Sequence, residues 1–241
     1  MPHAGPDWGT YAPVSTIYSI QDLGELAARL GSIVTFDRRG NVFFVDDFES
    51  GIECWYYSGS PGYTVLWSPA QHKSGGFSLE LTPPVGANNY AYAYRFFPYP
   101  SKSRLGTEIS FNLGGWIQEL DFEVRVYDGV YWYQPYIRFF PETKTWQYHG
   151  DDGLYHDLSP TTGLIVGVMF HTFKLVYDLV TGKYARLIID TTTFDMSALN
   201  MYKTDAPGEL PSTSLLCRVI DSTTYLSKEW LDDLILTQNE P

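Results

Sequence analysis

Residues 114–129 read "GGWIQELDFEVRVYDG", and the alternation inside this stretch decides the fold class. Successive side chains on a strand point to opposite faces. Leu120, Phe122, Val124 and Val126 therefore share one face, while Glu119, Asp121, Glu123 and Arg125 share the other. The apolar set calls for a core. The charged set reads as the solvated face of a central sheet strand. "YDG" at 127–129 supplies the turn that ends it.

The same pattern extends outward in both directions. Strands are predicted at 54–58, 62–67, 76–82, 89–97, 107–112, 117–127, 130–140, 144–148, 164–168, 170–178, 183–190, 214–220 and 231–237. Turn signals such as "SGSPG", "KSGG", "TPPVGANN", "FPETK", "HGDDG", "LVTGK" and "TDAPGELP" separate them. Many short strands at this spacing predict an all-β sandwich, and the long connection 191–213 suits a jelly roll better than a meander.

The first 45 residues differ in character. "SIQDLGELAARLG" is helical in pattern, with Ser19 as N-cap, Leu23, Leu26, Ala27 and Leu30 on one face, and Gly31 after the last turn. "SIVTFDRRGNVFFVDDF" then reads as a hairpin around a Gly-containing turn. Residues 1–18 lack periodicity and suit an extended arm. The chain thus divides into 1–45, an arm, helix and hairpin for docking or oligomerisation, and 46–241, the sandwich.

Composition limits the function classes. The 241 residues carry a net charge of −12. Nucleic-acid binding needs the opposite sign, and so does an anionic membrane surface. No apolar run approaches the roughly 18 residues of a membrane span. "MPHAGPDWGTYAPVST" shows neither the basic nor the apolar region of a secretory signal. Cys54 and Cys217 do not make a disulfide framework and read as two buried free thiols, a single bridge between the first and last strands being the alternative.

The five histidines fall into no metal-ligand spacing, and His171, on a strand, reads as structural. There is no GxSxG elbow, P-loop or dinucleotide fingerprint. Aromatics are the other conspicuous feature, with 19 Tyr, 14 Phe and 7 Trp. Tyr90, Tyr92 and Tyr94 share a face, and Tyr131 and Tyr133 share another. Together with Trp116 these rings could stack on sugars, their hydroxyls staying in water, or serve as core and cross-strand pairs.

"DDFESGIECW" (46–55), "SGGFSLEL" (74–81) and "EWLDDLILTQ" (229–238), in that order, resemble jelly-roll carbohydrate-binding modules and concanavalin- or laminarinase-like sandwiches. "FHTFKLVYDLVTGKYARLIID" (170–190) resembles the concanavalin-like group in particular. Such modules often carry a structural calcium, and the resemblance implies ligands at Asp47, Glu49 and Asp233, around the 73–75 turn, with Asp232 as the alternative. "ELDFE" matches the Glu-x-Asp-x-Glu strand of laminarinase-like retaining glycoside hydrolases. It implies Glu119 as nucleophile, Asp121 tuning it and Glu123 as acid/base.

The flanks depart from that family. Gln118 stands where a Gly is usual, and no Pro accompanies Trp116. Residues i and i+4 also lie about 13 Å apart on a straight strand, whereas a retaining pair needs carboxyls about 5–5.5 Å apart. The N-terminal block and "TQNEP" resemble bacteriophage and prophage particle proteins. The expectation is therefore a non-enzymatic jelly-roll sandwich on the surface of a phage-type particle, made in the host cytoplasm. Its partners would be particle proteins or its own copies, and a polysaccharide. A β-glucan-type hydrolase and a free carbohydrate-binding module stand as alternatives.

Overall fold

The computed structural model describes residues 40–241 except 116, 168, 207, 209 and 222–225. The predicted helix and the first strand of the predicted hairpin lie outside the described residues. So does Trp116.

Two antiparallel sheets face each other. Sheet A runs β14 (Thr192–Asp195), β13 (Lys183–Ile189), β12 (His171–Asp178), β6 (Arg104–Gly114), β17 (Lys228–Gln238), β4 (Ser78–Thr82) and β3 (Thr64–Ser68). Sheet B runs β11 (Tyr155–Asp157), β10 (Thr145–His149), β9 (Tyr136–Phe140), β7 (Ile117–Tyr127), β16 (Ser212–Asp221), β5 (Tyr90–Phe97) and β2 (Tyr56–Gly59). β8 (Tyr131–Gln134) also pairs with β7 and carries β15 (Tyr202–Asp205) on its other side. The all-β sandwich expected from the alternation is the fold observed.

β7 spans the predicted 117–127. Its apolar face lies in the core, where the Phe122 ring sits 4.4 Å from Phe173 and 5.3 Å from Phe111, both on sheet A. Leu120, Val124 and Val126 line the same interior. Burying each such side chain contributes about 1.5–3 kcal/mol, so one strand face goes far towards joining the sheets.

Some boundaries differ from the sequence reading. The predicted strand 130–140 is two strands, broken at Pro135, whose ring nitrogen cannot donate to the ladder. The Pro135 carbonyl still accepts from Val124 N–H at 2.9 Å, so both pieces stay on β7. Residues 164–168 form no strand among the described residues, and Ile165 and Val166 are exposed. Conversely, the 191–213 connection contains β14 and β15.

β1 (Asn41–Asp46) lies just before the compositional boundary at 46 and pairs with the far end of β17. β17 changes partner at a bulge. Residues 229–231 pair with β4 and residues 234–238 with β1, with Asp233 between them at φ 47°. Both cysteines are free thiols, but only Cys217 is buried as expected; Cys54 lies exposed in the turn before β2.

Candidate functional site

The outer face of sheet B, opposite the core, gathers the charged and aromatic residues of the ELDFE region. The strand registers place one row across seven strands: Asp157, Gln147, Arg138, Asp121, Arg218, Tyr92 and Ser58. A neighbouring row runs Tyr136, Glu123, Leu216, Tyr94 and Tyr56. Glu119 lies one pleat the other way, opposite Ile220, which in turn faces Tyr90. Side chains from seven strands spread over more than 160 residues thus meet on one surface.

The three carboxylates face the side expected of them, but they are not solvated. Relative exposure of the side chain is 12% for Glu119, 0% for Asp121 and 6% for Glu123. The solvated-face reading is therefore corrected. It failed because alternation fixes the face, whereas neighbouring strands decide whether that face is covered. The cover here is guanidinium and phenol. Arg218 Nε donates to Asp121 Oδ2 at 2.5 Å, and Arg218 Nη2 donates to the Tyr136 hydroxyl at 2.8 Å. Arg125 grips Glu123 with two N–H groups, and the Gln134 amide donates to the same carboxylate. Arg138 Nη1 lies 3.6 Å from Glu119, its Nε donates to Gln147 at 2.7 Å, and its guanidinium stacks 3.6 Å from the Tyr155 ring centre.

The electrostatics follow from this packing. Burial pushes the Asp121 carboxyl up to about 7; Arg218 opposes the shift, and Glu119 beside it adds to it. Burial also raises the Tyr136 phenol far above its ordinary range. At one end of the face His149 is stacked between Tyr155 (4.8 Å) and Tyr202 (4.5 Å), and burial lowers its pKa, so it is neutral at pH 7.

The other end is an aromatic run along β5. Ring centres are 6.0 Å apart for Tyr90 and Tyr92, 6.1 Å for Tyr92 and Tyr94, and 5.7 Å for Tyr94 and Phe96. Tyr56 on β2 stacks on Tyr94 at 5.2 Å. Tyr56 and Phe96 are each 57% exposed. Of the aromatics singled out in sequence, Tyr90, Tyr92 and Tyr94 stand in this run. Tyr133 does not belong to it. Opposite Val126 it faces the core and is buried, and Tyr131 shares its side, covered by the Lys203 ammonium 3.5 Å from the ring centre.

Arg138, Arg218, Gln134, His149, Tyr56 and Phe96 escaped the sequence reading. Arg218 left a signal, being the single charge within "LLCRVI". Its partner could not be read from one chain segment.

The residues implied for calcium lie around the β17 bulge. Asp232 Oδ2 accepts from the N–H groups of Lys73 and Ser74 at 2.7 and 3.1 Å. Asp233 Oδ1 accepts from the Ser74 hydroxyl at 2.6 Å, and its Oδ2 lies 3.6 Å from the Lys73 ammonium. Glu49 Oε1 accepts from the N–H groups of Gly76 and Phe77, and Asp47 Oδ1 from Glu49 N–H. Burial pushes Asp232 up to about 6 and raises Asp233.

This donor set does not fit calcium. At least one oxygen of each acid accepts from an N–H or O–H donor, the Lys73 ammonium lies 3.6 Å from the second Asp233 oxygen, and no three candidate ligands converge among the described residues. The residues expected as metal ligands, Asp47, Glu49 and Asp233, do not gather into a metal site among the described residues. What the sequence took for ligands is a set of acceptors that pins the 73–77 loop to β17. His171 is buried and held at both ring nitrogens. Its Nδ1 meets Asp190 Oδ2 at 2.6 Å and its Nε2 lies 3.0 Å from the Ile165 carbonyl.

No family model matches the chain, and no curated protein matches it. Solved structures do. "Cellulose induced protein, Cip1" superposes with a TM-score of 0.53 at 16% identity, over 81% of this chain and 97% of that one. The endo-beta-1,4-glucuronan lyase from the fungus Trichoderma reesei also gives 0.53, at 12% identity over 82% and 95%. A "Sialidase" gives 0.53 at 13% identity over 83% of this chain, which corresponds to 19% of that longer chain. At these identities the likeness concerns architecture: the chain has the concanavalin-like, jelly-roll β-sandwich fold.

Proposed function

We propose that this protein is a carbohydrate-binding β-sandwich that holds a glycan on the outer face of sheet B, without cleaving it. The observation that carries this reading is the run of rings from Tyr90 to Phe96, flanked by Tyr56 and continuous with the Arg138–Asp121–Arg218 row. Ring faces and edges suit the apolar C–H surfaces of sugars, and the phenol and guanidinium donors beside them suit sugar hydroxyls. The buried ion pairs beneath keep that surface rigid, which reduces the entropy lost on binding.

Hydrolysis through Glu119 and Glu123 is the competing reading. It has the shared face and the raised Asp121 in its favour. Against it, a nucleophile or acid/base needs to reach the sugar, while Glu123 is clamped by Arg125 and Gln134 and nearly covered. Affinity electrophoresis on a panel of polysaccharides, with a reducing-end assay on the same panel, separates the two. Retardation without new reducing ends, lost in Tyr94→Ala, is the expected outcome. New reducing ends abolished by Glu119→Gln would replace binding with hydrolysis, and no retardation on any polysaccharide would refute the glycan reading.

The phage-type particle setting is a proposal carried by the sequence resemblance alone. Its docking segment lies mostly outside the described residues. Sedimentation of the chain with and without residues 1–39 tests it: a self-associating full chain and a monomeric shortened one are expected.

A further inference from the structure

Resting on that glycan reading, we infer that the bound polysaccharide is acidic: a polyuronide whose sugar carboxylates meet the guanidinium groups of Arg125, Arg138 and Arg218. The basis is a difference in depth between the two signs of charge on one face. Three acids and three arginines alternate there, so the patch is close to neutral on balance. Their exposure is not balanced. The side chains of Arg125, Arg218 and Arg138 are 42%, 32% and 23% exposed. Those of Glu119, Glu123 and Asp121 are 12%, 6% and 0% exposed. A ligand arriving at this surface meets cations first and finds the carboxylates underneath them. An exposed acid, Asp157, closes the row only at the β11 edge.

The pairing beneath also sets the geometry. Each guanidinium is oriented by the protein: Arg125 by Glu123, Arg218 by Asp121 and the Tyr136 hydroxyl, Arg138 by Gln147 and the Tyr155 ring. An oriented guanidinium is a planar fork that matches a carboxylate, and it loses little freedom on binding. The aromatic run lies next to the same row, since Tyr92 is the cross-strand neighbour of Arg218. A sugar ring on Tyr92 therefore has a guanidinium within one strand spacing, about 5 Å.

The chain as a whole is strongly acidic, with a net charge of −12. Its long-range field repels polyanions, but that field is screened within about 8–10 Å at physiological salt, whereas the guanidiniums act at contact. The balance favours a polymer with one charge per sugar over a densely sulfated one.

Isothermal titration of the full chain with oligoglucuronate, and with the same oligosaccharide after reduction of its carboxyls to primary alcohols, tests this directly and needs no variant. The expected result is at least tenfold weaker binding of the carboxyl-reduced oligosaccharide. Arg125→Gln, whose fold is checked by circular dichroism, should weaken the acidic ligand at least fivefold and the reduced one by less than twofold. Equal affinity for the two oligosaccharides, or tighter binding of a sulfated glycan, would overturn the acidic assignment while leaving the glycan reading standing. Binding confined to neutral glycans would do the same. No binding to any of them would overturn both.

Discussion

Asp121 and Arg218 face each other across β7 and β16, and the guanidinium keeps about a third of its surface in water while the carboxylate keeps none. The pair is buried at one end only. Removing the exposed partner therefore does more harm than removing the pair. Arg218→Met leaves Asp121 desolvated beside Glu119 and should cost about 3–5 kcal/mol. The double variant Asp121→Leu/Arg218→Met should recover most of that loss. Urea denaturation of the two variants checks this, and equal midpoints for single and double variant would refute it.

Asp121 also predicts a pH dependence. Its carboxyl is raised in the folded chain from 3.8 to about 7, so the folded state holds a proton that the unfolded state releases. The stability it contributes is complete below about pH 4 and is lost as pH rises towards 7. Asp232, raised to about 6, acts in the same direction. Asp121→Asn should flatten the curve between pH 4 and 8 by an amount on the order of a few kcal/mol. Parallel curves for the variant and the parent would exclude the effect.

His171 and Asp190 give a window closed on both sides. Burial lowers the His171 pKa, but the Asp190 carboxylate outweighs it, so the folded value is raised, while Asp190 is lowered. The histidine's contribution is present in acid and is lost as pH rises through its folded pKa. The aspartate's contribution is present above about pH 4 and is lost as pH falls further. His171→Gln should cost about 1–3 kcal/mol near pH 6, and less at pH 9. Thermal melts at the two pH values measure the difference.

At the β17 bulge the Lys73 ammonium lies 3.6 Å from Asp233 Oδ2, which predicts that charge is balanced there without a metal. The melting temperature should not change on adding EDTA or calcium. Lys73→Met should lower stability by about 1–3 kcal/mol, because Asp233 Oδ2 is buried with no hydrogen-bond partner of its own. A melting temperature that rises with calcium would restore the metal site.

Much of the fold was legible because its signals are local. The alternation of Leu120, Phe122 and Val124 required nothing beyond a pleated strand, and β7 occupies the predicted residues. Pro135 was legible too, and its missing N–H should have divided the strand 130–140. β14 and β15 were not legible. "TTFD" and "YKTD" are four-residue strands that exist because β13 and β8 offer them open edges. The resemblance to calcium-carrying modules pointed to the 73–77 loop, where the Lys73 ammonium beside Asp233 could be seen only once the loop and β17 were brought together.

The ELDFE strand divides the two kinds of information. Sequence alone determined that Glu119, Asp121 and Glu123 lie on the face opposite the core, because a strand's side-chain period of two is a property of its own backbone. Tertiary structure decided that they are buried, ion-paired and roofed by arginine. Arg218 reaches Asp121 from 97 residues away, and Tyr136 and Arg138 come from the strand on the other side. Whether a charge is solvated depends on which strands the sheet sets beside it, and that is settled only when the distant strands pair.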